Sequence, residues 1–527
     1  MPRRNMKPLP KLILIAMAAA VVFFGGRWVV NNTSLGEKIV PGAGNGSSQV
    51  ASSRGDDVVN VCVVTWVGYA GGQYFNGGFQ ASKESRYFKE YGVLVNFRLI
   101  DDFDSSIAAW QSGECQVHWF TADAAPTLFD DLKAAGYNPQ IFFQADWSRG
   151  GDAIVVIRNI NNMRDLRGKR IAVAYGTPSH TFLLRALEAA NMTVRDVSLV
   201  EVASALASAA TFKAREVDAA VVWSPDDADA VASITGAKIL TSTREARYII
   251  PDVFFADAKW LDSHQSQAKA LVEGWLRGAA ELNHDNLAKD EVIDILVKGT
   301  GQPKNFFEAT INNARWTTYG DNVTFFNLEG NASPTTMGER VYNETGQLYR
   351  QYTDLVRSEG FPSWREVTNT SVLRSISLSG PEDAAESAVV FSAPTKEMET
   401  AEALASKPII ITFSTGSAVL DDNAKTVVDV GFVPTAQSFA GNRIRIEGNT
   451  DGTGSREVNM QLSRRRAQAV ADYLAQIWNF DRNRFIIVGN GPDKPVCNEN
   501  NPGGSVTLSD CQSRNRRTEF QLLSSGK

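Results

Sequence analysis

Between Val58 and Val372 short runs of β-branched residues alternate with longer stretches of helical periodicity, and this alternation limits the chain more than any other feature. The runs are VVNVCVVT (Val58 to Thr65), QVHWF (Gln116 to Phe120), DAIVVI (Asp152 to Ile157), RIAVA (Arg170 to Ala174) and DAAVVW (Asp218 to Trp223). Each is too short for a helix and rich in Val or Ile, so each predicts a buried strand. Strands separated by helices build α/β layers around a largely parallel sheet.

Open parallel sheets place ligands beyond the carboxyl ends of their strands. Trp66-Val67-Gly68-Tyr69 follows the first run, with Gly71 and Gly72 close behind, and Thr121-Ala122-Asp123 follows the second. Tyr175-Gly176-Thr177-Pro178-Ser179 follows RIAVA and leads into a helix, and Ser224-Pro225-Asp226-Asp227 follows DAAVVW. Aromatic rings, hydroxyls and carboxylates thus recur where a cleft is expected. The helix start near Pro178 offers the positive end of a dipole, a place for an anionic or polar oxygen, although Thr177 and Ser179 also suit simple capping.

These segments resemble the periplasmic solute-binding proteins of the nitrate, sulfonate and thiamine-precursor group. The resemblance rests on TWVGY at Thr65 to Tyr69, MRDLRGKRIAVAYGTPSH at Met163 to His180 and EVDAAVVWSPD at Glu216 to Asp226. It implies two lobes joined by crossing strands, near Gly151 to Ile157 and Thr241 to Asp257, closing on a small solute. It also carries a solute-binding role to Trp66, Tyr69, Asp123, Thr177, Ser179, Trp223 and Asp226. The carboxylates Asp123 and Asp226 lean toward a zwitterionic or hydroxylated solute over a bare anion.

A second constraining stretch is GNTDGTGSREVNMQLSRRRAQAVADYL, Gly448 to Leu474. Turn residues Asn449, Asp451, Gly452 and Gly454 give way to an apolar rhythm at Leu462, Ala469, Val470, Tyr473, Leu474 and Ile477 that predicts an amphipathic helix. Steps of four from Leu462 through Arg466 to Val470 place Arg466 on the inward stripe, while Arg464 and Arg465 point elsewhere. An inward guanidinium needs an anion, either a carboxylate of its own domain, with Asp451 the nearest upstream, or one belonging to a ligand.

Here the sequence resembles the peptidoglycan-binding domain of the OmpA family, on Thr450-Asp451, Gly454, Asn459, Leu462-Ser463 and Arg466-Ala467. The resemblance takes in the strand-like IIITFSTGSAVLDDNA at Ile409 to Ala424 and the closing NRRTEF at Asn515 to Phe520. It implies that Asp451 and Arg466 hold the ammonium and carboxylate of diaminopimelate in the peptidoglycan stem peptide, with Thr450 in the motif and Asn459 shaping the site. Asn449 departs from the ring that more often precedes the TD pair.

The ends complete the organisation. Residues 1–30 carry Arg3, Arg4, Lys7 and Lys11 ahead of an uncharged, mostly apolar run from Leu12 to Gly26, extended past Arg27 by Trp28, Val29 and Val30. This reads as an N-terminal signal anchor in the inner membrane. Cleavage after Ala20 is the competing reading, but it would leave Val21-Val22-Phe23-Phe24 at the new terminus. Residues 31–57 are Gly-, Ser- and Asn-rich and read as a flexible linker, and 373–406 as a second linker. The expected fold is therefore α/β: an N-terminal membrane anchor, a bilobal periplasmic-binding-protein domain over 58–372, and an OmpA-like α/β domain over 407–527.

Lys and Arg number 53 against 59 Asp and Glu, a formal charge of -6, which leaves no basic excess for nucleic acid. His118, His180, His264 and His284 show no metal spacing, and no nucleophile stands with a base, so neither a metal, a cofactor nor an enzyme is expected. Asp101, Asp102 and Asp104 read as a solvated loop. Cys497 and Cys511 close a loop of about 15 residues and predict a disulfide worth about 3 kcal/mol. Cys62 and Cys115 suit either a second bond or two buried thiols. The function expected is a membrane-tethered, wall-anchored periplasmic protein that captures a small anionic or zwitterionic solute for ABC-type uptake, with a permease as partner, or for sensing. The alternatives are a structural or motor-anchoring envelope protein and an enzyme of the thiamine-precursor type.

Overall fold

The computed structural model describes residues 58–330, 335–414, 416–503 and 505–524. The expected signal anchor (1–30) and the first linker (31–57) lie outside the described residues. Among the described residues no helix is long and apolar enough to cross a membrane.

The five runs become strands β1 (Val58–Val63), β3 (Val117–Thr121), β5 (Asp152–Val156), β6 (Arg170–Ala174) and β8 (Ala219–Trp223). Around them stand β2 (Leu94–Leu99), β4 (Pro139–Ser148), β7 (Ser198–Val202), β9 (Lys238–Ser242), β10 (Pro251–Asp257) and β11 (Ala314–Trp316). They form two sheets, one in the order β11-β4-β10-β3-β1-β2 and the other in the order β7-β6-β8-β5-β9. Parallel pairs sit inside each sheet and antiparallel β10, β4 and β5 join them, so both are mixed.

The chain passes between the lobes twice. Residues 149–151 carry it from β4 to β5, and 243–250 return it from β9 to β10. Both crossings fall at or beside the stretches expected for them. The first lobe is packed around Trp275 of the helix Gln265–His284, whose ring stands 4.7 Å from Phe254 and 5.4 Å from Phe143. Gly71 and Gly72 face this helix and not the cleft. A Cβ on Gly72 would lie 2.3 Å from the Trp275 ring, so only glycine lets the two helices approach this closely.

The C-terminal sheet runs β12-β15-β13-β14, with β12 at Ala403–Ile409, β13 at Arg443–Asn449, β14 at Phe485–Gly491 and β15 at Thr518–Leu523. Its long helix, Arg456–Ile477, buries Leu462, Arg466, Val470 and Leu474 and leaves Arg464 and Arg465 exposed. Ile477, expected on the inward face, is the last residue of the helix and is 59% exposed. The strand expected from Ile409 to Ala424 also falls elsewhere. It ends at Ile409 and begins at Ala403, in the segment read as a linker, and the helix Asp422–Gly431 follows an irregular stretch. Lys407 and Pro408 break the apolar alternation of this strand, which is why composition hid it.

The rest of 373–406 is a strap held by charge. Glu386 accepts from Arg149 at 2.7 Å, Arg247 at 2.6 Å and the Tyr248 hydroxyl at 3.1 Å. Farther along, Asp481 accepts from the Phe391 amide at 2.7 Å. The C-terminal domain also rests directly on the second lobe. Arg185, in the helix Pro178–Ala189, donates to Glu344 at 2.8 Å and to the Ser438 hydroxyl at 2.7 Å, while Phe182 and Leu183 share an apolar cluster with Val433, Ala436 and Phe439.

Both cysteine pairs, Cys62–Cys115 and Cys497–Cys511, are disulfides.

Candidate functional site

The two lobes enclose a cavity of about 230 Å³. The first lobe supplies Trp66 and Tyr69 from the turn after β1, Trp119 and Thr121 from β3, and Asp252 from β10. The second supplies Asp152 from the start of β5, Pro178 from a helix N-terminus, and Trp223 and Asp226 from the end of β8 and beyond. Indoles thus enter from both lobes. Glycine lets Trp66 lie where it does: a Cβ on Gly68 would stand 2.3 Å from its Nε1 and 1.9 Å from Asp146 Oδ2, and a Cβ on Gly151 would stand 2.5 Å from its Cη2.

The floor is a polar row across three strands, with Thr121 opposite Asp252 and Asp252 opposite Asp146 in the registers of β3, β10 and β4. Tyr69 donates its hydroxyl to Asp252 Oδ1 at 2.7 Å, and Trp66 Nε1 reaches Asp146 at 3.3 Å. Burial raises the Asp146 carboxyl to about 8, against the pull of the Trp66 donor and Arg149. Burial also lifts Asp252 well above the carboxylate range, reinforced by the charge of Asp146.

Four of the seven expected cleft residues line this cavity: Trp66, Tyr69, Trp223 and Asp226. The other three stand behind it. Ser179 is fully buried, donates to Asp152 Oδ1 at 2.8 Å and accepts from Trp223 Nε1 at 2.9 Å, so it positions a carboxylate and an indole. Thr177 turns its hydroxyl back to the Ala174 carbonyl at 2.7 Å and makes no side-chain cap. Asp123 is fully buried, and burial lifts its carboxyl to about 7 against the nearby hydroxyls of Thr181 and Thr121.

Asp101, read as part of a solvated loop, is exposed and also lines the cleft, where it accepts from the Thr65 amide at 2.6 Å and hydroxyl at 3.0 Å. Asp146, Asp152 and Asp252 were missed as well. The signal for all three was a carboxylate at the boundary of an apolar run, in QADWS, GDAIVV and PDVFFAD, where burial demands a partner.

In the C-terminal domain Asp451 pairs with Arg516 at 2.6 Å and accepts from the Thr453 amide at 3.0 Å, so an internal Asp451–Arg466 bridge, the alternative to a shared ligand, is not formed. Burial works to raise its carboxyl, but Arg516 and Thr453 hold it below the usual range. Arg466 donates to the carbonyls of Ser417 at 2.9 Å and Ser414 at 3.3 Å and lies 4.9 Å from the Phe413 ring centre, with no carboxylate among its hydrogen-bond partners in the described residues. Together with Asn449 and Arg516 it lines a recess of about 90 Å³. Asn459 donates to the Thr453 carbonyl at 2.9 Å and so fixes the turn carrying Asp451; Thr450 is buried beneath it. Arg516 belongs to the closing NRRTEF motif, and nothing in that motif's sequence marks it as the partner of Asp451. Glu499, inside the loop closed by the Cys497–Cys511 bond, accepts from the Gly452 amide at 3.1 Å.

A two-lobed α/β domain with a cleft between its sheets is the architecture of periplasmic binding proteins, and the chain joins such a domain to a C-terminal OmpA-like one. Residues 82–297 match the NMT1-like family and residues 412–507 the OmpA family. The taurine-binding periplasmic protein of Escherichia coli K12 is 27% identical over 198 residues, covering 37% of this chain and 59% of that protein. The peptidoglycan-associated lipoprotein of Pseudomonas putida is 40% identical over 83 residues, covering 15% of this chain and 44% of that protein. The chain thus spans less than two thirds of either relative's length. The crystal structure of the periplasmic aliphatic sulphonate binding protein from Escherichia coli aligns over 64% of this chain and 97% of its own, with a TM-score of 0.46 and 16% identity.

Proposed function

We propose that this chain is a periplasmic solute-binding protein fixed to the cell wall, capturing a small solute for ABC-type uptake or sensing. The observation that carries the reading is the cleft between the two lobes, with Trp66 and Trp223 brought to it from opposite sheets. Relatives named for binding taurine and for association with peptidoglycan support the two halves of the reading. In this account the first 30 residues anchor the chain in the inner membrane, and residues 373–406 bridge two functional domains. A permease is the partner for uptake. Asp451 and Arg466 receive the diaminopimelate of the stem peptide, with Asn459 and Thr450 supporting the turn. Arg466 is suited to this because the described residues give it carbonyls and a ring but no hydrogen-bonded carboxylate.

The solute half is tested by thermal shift and tryptophan fluorescence of the full chain against small metabolites. A bound solute at a hundredfold excess over Kd stabilises by about 2.7 kcal/mol. The reading falls if no class of metabolite moves either signal. The enzyme alternative called for a site rich in Cys and His, whereas Cys62 and Cys115 are bonded to each other and His118 is a fully buried imidazole paired with Ser106 at 2.8 Å.

A further inference from the structure

The charges that line the cleft bear on which solute it can take. Among the described residues that line it, none is a lysine or an arginine, while Asp101, Asp152, Asp226 and Asp252 all do. The one feature that would suit an anion, the helix N-terminus at Pro178, is taken up from within. Proline removes a donor N–H at that position, and the chain's own Asp152 is held against the first turn by Ser179. Tyr69 occupies Oδ1 of Asp252, and Oδ2 has no protein donor among the described residues.

A second observation points to a ligand independently. Trp119 lines the cavity, is only 8% exposed, and its Nε1 donor has no acceptor among the described residues. A buried indole N–H without a partner is costly, so an oxygen acceptor is expected opposite it when the cleft is filled.

Resting on the solute-binding reading above, we infer that the cleft recognises a small amine, its ammonium group held by Asp252 and Asp152 among the indoles of Trp66 and Trp223, with an oxygen acceptor on the same solute for Trp119. Aromatic faces and carboxylates both favour a cation, and both reject a bare anion. The amine is the group that is read, and the anionic or hydroxyl end is accommodated. Asp226, half-buried on the second lobe and lifted by its own burial, adds negative charge at the rim.

The test uses the full chain and pairs of probes that differ only in the amine: taurine against isethionate, and β-alanine against 3-hydroxypropionate, with ethanolamine as an amine lacking an anion. Binding is read by calorimetry and tryptophan fluorescence. The amine member of each pair is expected to bind at least about tenfold more tightly, a difference of about 1.4 kcal/mol. Asp252→Asn is expected to bring the two members close together, and Asp226→Asn at the rim to narrow the gap without threatening the fold. Equal binding of isethionate and taurine, or binding of sulfate or an alkanesulfonate with no amine bound, overturns the inference and leaves solute capture standing. Silence from every probe, and from a wider set of metabolites, overturns both.

Discussion

Asp146 of β4 stands directly opposite Asp252 of β10 in antiparallel register, two carboxyls on neighbouring strands at the base of a cleft. Neither is charged at low cost: burial lifts both, and the charge of Asp146 adds to the lift on Asp252. A pair of this kind shares protons at neutral pH and gives them up to a cation.

The pH dependence follows from that pair. Asp146 at about 8, and Asp152 and Asp123 at about 7, all lie above the unfolded value of about 3.9. The folded state therefore binds more protons, so the stability these groups contribute is full below about pH 4 and is lost as pH rises through about 8. The melting temperature of the solute-free protein is expected to fall between pH 6 and pH 8, and Asp252→Asn to flatten that slope. An unchanged slope in the variant contradicts the assignment. Amine binding should tighten over the same interval and release protons, which calorimetry in buffers of different ionisation enthalpy reads directly.

Gly68→Ala places a Cβ 1.9 Å from Asp146 Oδ2 and 2.3 Å from Trp66 Nε1, so the indole has to move. A cost of about 1–3 kcal/mol is expected from overpacking, with solute-induced fluorescence change lost in a protein that still shows native circular dichroism. Retained solute response with an unshifted melting curve would show that Trp66 can sit elsewhere.

The docking of the C-terminal domain depends on Arg185, a guanidinium 5% exposed that bridges Glu188, Glu344 and Ser438. Its carboxylate partners Glu188 and Glu344 are partly solvated, so Arg185→Ala is expected to cost about 2–3 kcal/mol. Calorimetry should then resolve two transitions where the parent melts more cooperatively, and proteases should cut within 373–406. A single unshifted transition would mean that the interface is held by its apolar contacts alone.

The wall-binding assignment is tested by pulldown with purified sacculi. Asp451→Asn keeps the shape of the turn and is expected to lose binding while remaining folded. Arg466→Ala removes the fork meant for a carboxylate and also frees the carbonyls of Ser414 and Ser417, so its loss of binding is read alongside a melting curve. A folded Asp451→Asn, Arg466→Ala double variant that still binds sacculi removes these residues from the site. Reduction of Cys497–Cys511 should weaken binding too, because the loop it closes carries Glu499 onto the Gly452 amide.

Much of this was legible in one dimension because the features concerned are local. Val- and Ile-rich runs between helical stretches are strands wherever they occur, and β1, β3, β5, β6 and β8 formed where the sequence reading had them, within a residue or two. Four-residue steps from Leu462 to Leu474 turn Arg466 inward whatever the helix packs upon. Turn residues after strand ends announced Trp66, Tyr69, Trp223 and Asp226, since the ends of strands in such sheets converge by topology.

Pairing across the chain was another matter. Asp146 and Asp252 lie 106 positions apart in sequence and meet only because β4 and β10 are neighbours after the chain has crossed to the second lobe and back. Ser179, a plausible ligand group by sequence, became a support for Asp152 and Trp223 once β5 and β8 paired beside its helix. Arg516 reached Asp451 from the far end of the C-terminal domain. The polar strap at 373–406 looked like free linker because it is fixed by Glu386 and its arginines and not by an apolar face. Periodicity records which side of an element turns inward; which charge it then meets is fixed by strand order and domain docking, and these decided the chemistry of the cleft.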